Sequence, residues 1–175
     1  AGLMASDVPP GKFRSFFGFT KWKDYDEELF RKVKLESEGQ ICRMSAAIEG
    51  SDISEQAVAH AVENIRNAGL SGQISVGVSD FKDTKPGVKG SYLVFNPPYG
   101  QRLKPEEIES LYSMIGSSLK HKYPGYKAWI ITSGKEFLRE IGLKPKVKYM
   151  LFNGSLEFTL AGYELYEGSK KQRAE

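Results

Sequence analysis

The chain is poor in the residues that build metal centres and covalent staples. Its 175 residues include one cysteine, Cys42, and two histidines, His60 and His121. One cysteine cannot close an internal disulfide or make a cysteine-based zinc cluster, and two histidines add little to a metal site. A disulfide-built fold is therefore excluded, no metal is expected, and a reducing, cytoplasmic compartment fits best. No run of about eighteen apolar residues is present, so no spanning helix and no membrane partner are expected. The start carries no signal-peptide pattern, because Asp7, Pro9 and Pro10 interrupt it. Neither common glycine-rich phosphate loop occurs, which argues against a plain nucleotide-binding enzyme. No internal repeat is visible. Charge is not of one sign: 25 Lys and Arg face 22 Asp and Glu, a net charge of +3. That balance permits a nucleic-acid partner without demanding one.

What is present suits one globular domain. The length allows a single sizeable core, and 40% hydrophobic with 27% charged residues is ordinary for such a chain. Ala1 to Ser6 resembles the end of a helix, broken by Val8-Pro9-Pro10-Gly11. Phe13, Phe16, Phe17, Phe19 and Trp22 follow, interleaved with Lys12, Arg14, Lys21 and Lys23. They read either as a loop pinned by aromatics or as a stacking surface for nucleic acid. Asp24 to Ser37 has helical spacing of apolar residues, and so has the stretch capped by Ser54 and stopped by Gly69. Strands are expected at Ser45 to Ile48, Ile74 to Val78, Ser91 to Phe95 and Ala128 to Thr132. Pro105 opens a helix that Lys120 to Lys122 close, and Lys135 to Ile141 reads as a short helix. Val147 to Phe152 and Ser155 to Glu164 read as a hairpin turning at Asn153-Gly154. Gly168 to Glu175 is a charged tail. The alternation predicts an α/β fold with a mostly parallel sheet and an antiparallel C-terminal hairpin.

In such a sheet, ligands sit beyond the carboxyl ends of strands. Three of those ends carry a polar group: Asp52, Asp80 and Asn96. A carboxylate such as Asp52 can accept from vicinal ribose hydroxyls, and Gly50 allows close approach. Asp80 can accept from an exocyclic amine, with Phe81 beside a purine. Each Asp taken alone serves equally as a cap or turn residue. At Asn96-Pro97-Pro98-Tyr99-Gly100 a buried strand ends in two prolines, which cannot join a ladder. The Asn96 side-chain oxygen and the Pro97 carbonyl are two convergent acceptors. They suit an aryl amine whose nitrogen must be drawn towards tetrahedral geometry during attack on an electrophile. Tyr99 is placed to stack on the base that carries the amine, which must first be extruded from any duplex.

Asn96-Pro97-Pro98-Tyr99 resembles the signature of S-adenosylmethionine-dependent methyltransferases that act on exocyclic amines of nucleobases. Asn96 to Leu103, Gly50-Ser51-Asp52-Ile53 before it, and Lys148 to Glu157 after it are similar to the RNA methylase family that modifies guanine in large-subunit ribosomal RNA. Val8 to Trp22 resembles a loop of that family's catalytic domain. The resemblance covers about residues 1–166, with 167–175 left as tail. It implies a Rossmann-like class I methyltransferase sheet, S-adenosylmethionine as cofactor and ribosomal RNA as partner. It also implies methyl transfer to guanine N2, with no general base needed before the attack. Asp52 would bind the cofactor ribose, Asp80 and Phe81 would contact its adenine, Ile53 and Asn96 would also touch the cofactor, and Asn96, Pro97, Pro98 and Tyr99 would hold the target base. The family's first strand and Gly-rich loop have no counterpart here, so a fragment that binds cofactor poorly is expected. Calorimetry showing micromolar binding would overturn that expectation. The alternatives are a catalytically incompetent RNA-binding remnant, or an amine methyltransferase acting on DNA adenine or on protein glutamine.

Overall fold

The computed structural model describes residues 1–98 and 104–167. Its elements in chain order are α1 (Gly2–Ala5), α2 (Glu27–Gly39), β1 (Ile48–Asp52), α3 (Glu55–Asn67), β2 (Ile74–Val78), β3 (Tyr92–Phe95), α4 (Pro105–Lys122), β4 (Lys127–Thr132), β5 (Val147–Asn153) and β6 (Leu156–Glu164). Short 3-10 turns lie at Gly18–Lys21, Phe81–Asp83 and Lys135–Arg139. The last of these replaces the expected short helix. The strands form two ladders rather than one: β1 pairs with β2, and the second sheet has the order β3-β4-β6-β5. The chain correspondingly divides into two compact units, Ala1–Ser79 and Asp80–Glu175.

In the first unit, β1 and β2 run parallel in register from Ile48 opposite Ile74 to Asp52 opposite Val78. The strand expected at Ser45 to Ile48 therefore starts where it should have ended. Its partner sets its bounds, since β2 offers no residue to pair before Ile74. Asp26 caps α2 by accepting from the Leu29 amide at 2.9 Å, and Ser54 caps α3 by accepting from Ala57 at 3.2 Å. Burial is sparse here, confined to Gly2, Ser6, Met44 and Leu70. Gly2 packs closely there: a Cβ would meet the terminal methyls of Ile74 and Leu70 at 2.6–2.7 Å, and those side chains would have to shift. Phe17, Phe19, Tyr25 and Phe30 pack together, with Phe19 and Phe30 at 5.2 Å in an edge-on contact. This inner set pins the loop, whereas Phe13, Phe16 and Trp22 stay exposed.

The second unit holds the core. α4 starts at Pro105, with Glu107 accepting from the Lys104 amide at 2.9 Å, and ends in Lys120, His121 and Lys122. Its stripe of Ile108, Tyr112, Ile115 and Leu119 is buried against Ala128 and Ile130 of β4 and Ala161 and Tyr163 of β6. β4 alternates strictly, with Ala128, Ile130 and Thr132 on the covered face. Tyr112 donates to Thr132 at 2.7 Å inside this core, and Thr132 also accepts from the Gly134 amide. β3 is parallel to β4, while β6 is antiparallel to both β4 and β5. The hairpin turns one residue later than expected. Asn153 still pairs with Leu156, and Gly154, at φ 61°, starts the two-residue loop with Ser155. A glycine at positive φ in the first loop position suits the right-handed twist of the strands, so Gly154 opens the turn and Asn153 remains strand.

Candidate functional site

Asp52 is the last residue of β1 rather than a residue beyond it. One carboxylate oxygen accepts from the Ser54 amide at 2.8 Å, and its own carbonyl accepts from the Ser79 amide at 3.0 Å. The turn role and an acceptor role are thus compatible: one oxygen shapes the strand-to-helix turn, and the other is not used by it. Ile53 is largely exposed. These two residues belong to the first unit.

Asp80, Phe81, Asn96, Pro97 and Pro98 belong to the second. Asp80 caps the 3-10 turn by accepting from the Lys82 amide at 3.0 Å, and the Lys82 ammonium lies 3.2 Å from its other oxygen. The Lys82 amide bond holds the Asp80 carboxyl below its ordinary range, with partial burial opposing and the Lys82 side chain adding to the effect. Asp80 is therefore ionised and accepts only. The Phe81 ring is taken up in packing: it meets Phe95 edge-on at 4.7 Å and stacks on Tyr123 at 5.6 Å. Thr84 fastens this turn, bonding to the Phe81 carbonyl and to the Tyr123 hydroxyl. The Lys122 ammonium donates to the Lys82 carbonyl. The 3-10 turn is thereby fixed to the end of β3 through Phe81 and Phe95.

Asn96 follows directly on β3 and is exposed, Pro97 is buried and Pro98 half-buried. Among the described residues no hydrogen bond engages the Asn96 side-chain amide. Tyr99 lies outside the described residues. Asn96 opens on a cavity of about 280 Å³ whose other walls are Ile131, Leu151, Phe152, Asn153 and Phe158. Ligand pockets run from about 300 Å³ upwards, so the space suits a small ligand such as one base. The sequence reading assigned none of these five residues to the site. It used Lys148 to Glu157 only for the family resemblance, and only the antiparallel insertion of β6 between β4 and β5 brings the hairpin tip to the rim where β3 and β4 end. The one local signal was an Asn beside the turn glycine. No group of three or more His, Cys, Asp or Glu residues able to hold a metal occurs among the described residues. No described helix is long and apolar enough to cross a membrane.

Comparison with known proteins gives the family and the fold. The family model UPF0020, described as RMKL-like, methyltransferase domain, matches residues 1–161. Ribosomal RNA large subunit methyltransferase K/L of Shewanella baltica is 33% identical over 177 residues, covering 98% of this chain and 25% of that protein. A crystal structure of SMU.472 complexed with SAH superposes with a TM-score of 0.86 at 27% identity, covering 95% of this chain and 44% of that one. A structure from Listeria monocytogenes, described as "a predicted N6-adenine-specific DNA methylase", gives a TM-score of 0.80 at 25% identity over 93% of this chain and 42% of that one. The chain thus spans less than half the length of each of these relatives. The fold class read from the alternation of elements stands: these neighbours share its α/β architecture.

Proposed function

The chain belongs to the UPF0020 family of RMKL-like methyltransferase domains, and on that premise we propose that it carries the amine-holding half of an RNA guanine-N2 methyltransferase. The observation that carries this reading is the Asn96 side chain. It stands unengaged at the end of β3, anchored by the buried Pro97, and faces a cavity of base size. Large-subunit ribosomal RNA is the proposed substrate, in keeping with the name of the Shewanella relative, and a cytoplasmic location goes with it.

The proposed cofactor is S-adenosylmethionine, in keeping with the SAH held by SMU.472. The donor set fits it. Asp52 has a carboxylate oxygen that its turn does not use, suited to ribose hydroxyls, with Ile53 next to it. Asp80 is an ionised acceptor suited to the adenine amine, and Phe81 holds that turn in place against Phe95. When bound, S-adenosylmethionine supplies an electrophilic methyl group. The chain's own part is to orient the amine. The Asn96 Oδ1 and the Pro97 carbonyl accept its two N–H bonds and aim the nitrogen lone pair. As the nitrogen–carbon bond formed and the methyl group's bond to the sulfonium sulfur broke, leaving a neutral thioether, positive charge would grow on that nitrogen, and both acceptors would bind it more strongly than in the ground state. The surplus proton then leaves the amine for solvent. Pro98 stiffens the turn that holds this geometry, and Tyr99 is the proposed stacking partner of the base.

Transfer of radiolabelled methyl groups to undermodified ribosomal RNA, by this chain and by a form extended to the length of its relatives, tests the reading. Asn96→Ala should lower kcat by about 10²–10³-fold, as for loss of one oriented transition-state partner. Transfer to adenine in DNA and none to RNA would replace this reading with a second one, which the description of the Listeria relative favours.

A further inference from the structure

The cavity at Asn96 has a second polar end, and it lies on the closing hairpin. We propose that the hairpin tip is the base-selecting wall of the amine site: Asn153 reads the base edge next to the held amine, and Phe152 covers the base. This rests on the reading of Asn96 as the amine holder.

The first argument is register. The end of β4, Thr132, pairs with Thr159 of β6. Leu156, Glu157 and Phe158 therefore precede the last β4 pair, and with Phe152 and Asn153 they form an arm that projects past the rim. Three strand residues reach about 10 Å at ~3.4 Å each, enough to stand beside a base held at Asn96. The arm is braced at its root. Phe158 is buried, and Glu157 pairs with Lys135 at 3.2 Å.

The second argument is facing. Leu151 pairs with Phe158, and Asn153 lies two residues further along the same strand. Side chains two apart share a face, so Asn153 stands above Leu151 and Phe158 on the cavity side. Had the turn fallen at Asn153-Gly154, Asn153 would be a loop residue with no assigned face. The outcome is a slot with an apolar middle of Ile131, Leu151 and Phe158 and a carboxamide at each end. That pattern of flat apolar walls and few polar ends matches a base. Phe152 remains two-thirds exposed (67%) at the mouth of the slot, and an aromatic ring in that position gains by stacking on a base.

The third argument is chemical. Among the described residues no hydrogen bond engages the Asn153 side chain. A carboxamide offers one donor and one acceptor side by side. With guanine N2 held at Asn96, the next groups along the base edge are N1–H, a donor, and O6, an acceptor. Asn153 complements both at once. An adenine held by its amine presents only a bare N1 and a C–H there, so one of the two bonds is lost.

The test uses RNA carrying either guanine or 2-aminopurine at the target position. The latter keeps the amine and lacks O6 and N1–H. The wild-type enzyme should prefer guanine by tenfold or more, about the effect of one lost hydrogen bond. Asn153→Ala should abolish that preference by lowering kcat/KM for guanine alone, chiefly through KM. Asn153→Asp, which can still accept from N1–H but cannot donate to O6, should lower kcat/KM for guanine and keep part of the preference. Phe152→Ala should raise KM about tenfold for both bases equally. An Asn153→Ala enzyme that folds and keeps the full preference overturns the proposal while leaving the reading of Asn96 intact. If enzyme extended to the length of its relatives methylates neither base, the underlying reading fails and this one falls with it. A titration of guanosine 5′-monophosphate into enzyme labelled at side-chain amides provides the independent readout. Both Asn96 and Asn153 amide signals should shift, and a shift at Asn96 alone would count against the proposal.

Discussion

The two units of this chain obey the same local rules and reach different degrees of burial. In Ala1–Ser79 the helices α2 and α3 have good caps and apolar stripes, yet neither has a buried residue. In the unit from Asp80 onwards, α4 has the same kind of stripe and buries Ile108, Tyr112, Ile115 and Leu119. The difference is in what faces the stripe. α4 lies on β3, β4 and β6, whose alternate residues offer a continuous apolar surface. The first unit offers a two-stranded ladder and a short aromatic cluster. Helix stripes are a necessary condition for a core, and an opposing face is the sufficient one. The amine site, as proposed, is built on the well-buried unit, where its geometry can be held.

The largest test of that contrast is a pair of truncations followed by urea denaturation. Tyr112→Ala should cost about 3–5 kcal/mol, as for a large buried aromatic. Val62→Ala, on the half-exposed stripe of α3, should cost less than about 1 kcal/mol. Equal costs would mean that the first unit buries its stripe after all. A smaller effect comes from glycines. Gly116 of α4 lies so close to the chain at Ile141 that a Cβ would sit 1.9 Å from its carbonyl oxygen, whereas a Cβ at Gly18 meets nothing within 4 Å. Gly116→Ala should destabilise by about 1–3 kcal/mol, while Gly18→Ala should leave stability unchanged or raise it by up to about 1 kcal/mol. Melting temperatures of the two variants decide it.

The smallest effect concerns Tyr163. Its hydroxyl is buried with no hydrogen-bond partner among the described residues. Burial first, and the neighbouring Tyr112 second, push its phenol from 10.0 up to about 12. The raised value means that the unfolded chain loses this proton before the folded one. Stability from this group is complete below pH 10.0 and is lost as pH rises towards about 12. Tyr163→Phe should remove that part of the alkaline slope. At neutral pH it should leave stability within about 1 kcal/mol of wild type, since the lost hydroxyl had no partner. Denaturation curves across that range would sharpen the contrast, because no tyrosine of the first unit is buried.

Legibility followed the range of the interactions concerned. The ends of α4 could be read to the residue, because Pro105, Glu107 and the Lys120–Lys122 run act within one turn of the helix. The cap Ser54 was equally local. β1 was misplaced, because its bounds depend on a partner some 26 residues away in register, Ile48 on Ile74. The hairpin was found but set one residue early, since an Asn-Gly pair is compatible with more than one turn. Phe81 was read for a ligand contact, and its ring packing on Phe95 and Tyr123 was not foreseen. Nothing near it in the sequence announces Tyr123.

The amino-acid order alone determined the chemistry of the Asn96-Pro97-Pro98 turn. Proline restricts its own backbone and removes its own amide, so a strand must end there and two acceptors must be left at its mouth. It also determined that the fold is α/β, because alternating helical and extended periods leave few other arrangements. Only the tertiary structure decided which side chains share a cavity with Asn96. Which face of β5 bears Asn153, and how far the hairpin overhangs the rim, depend on strand register, and register is a property of paired segments rather than of either one.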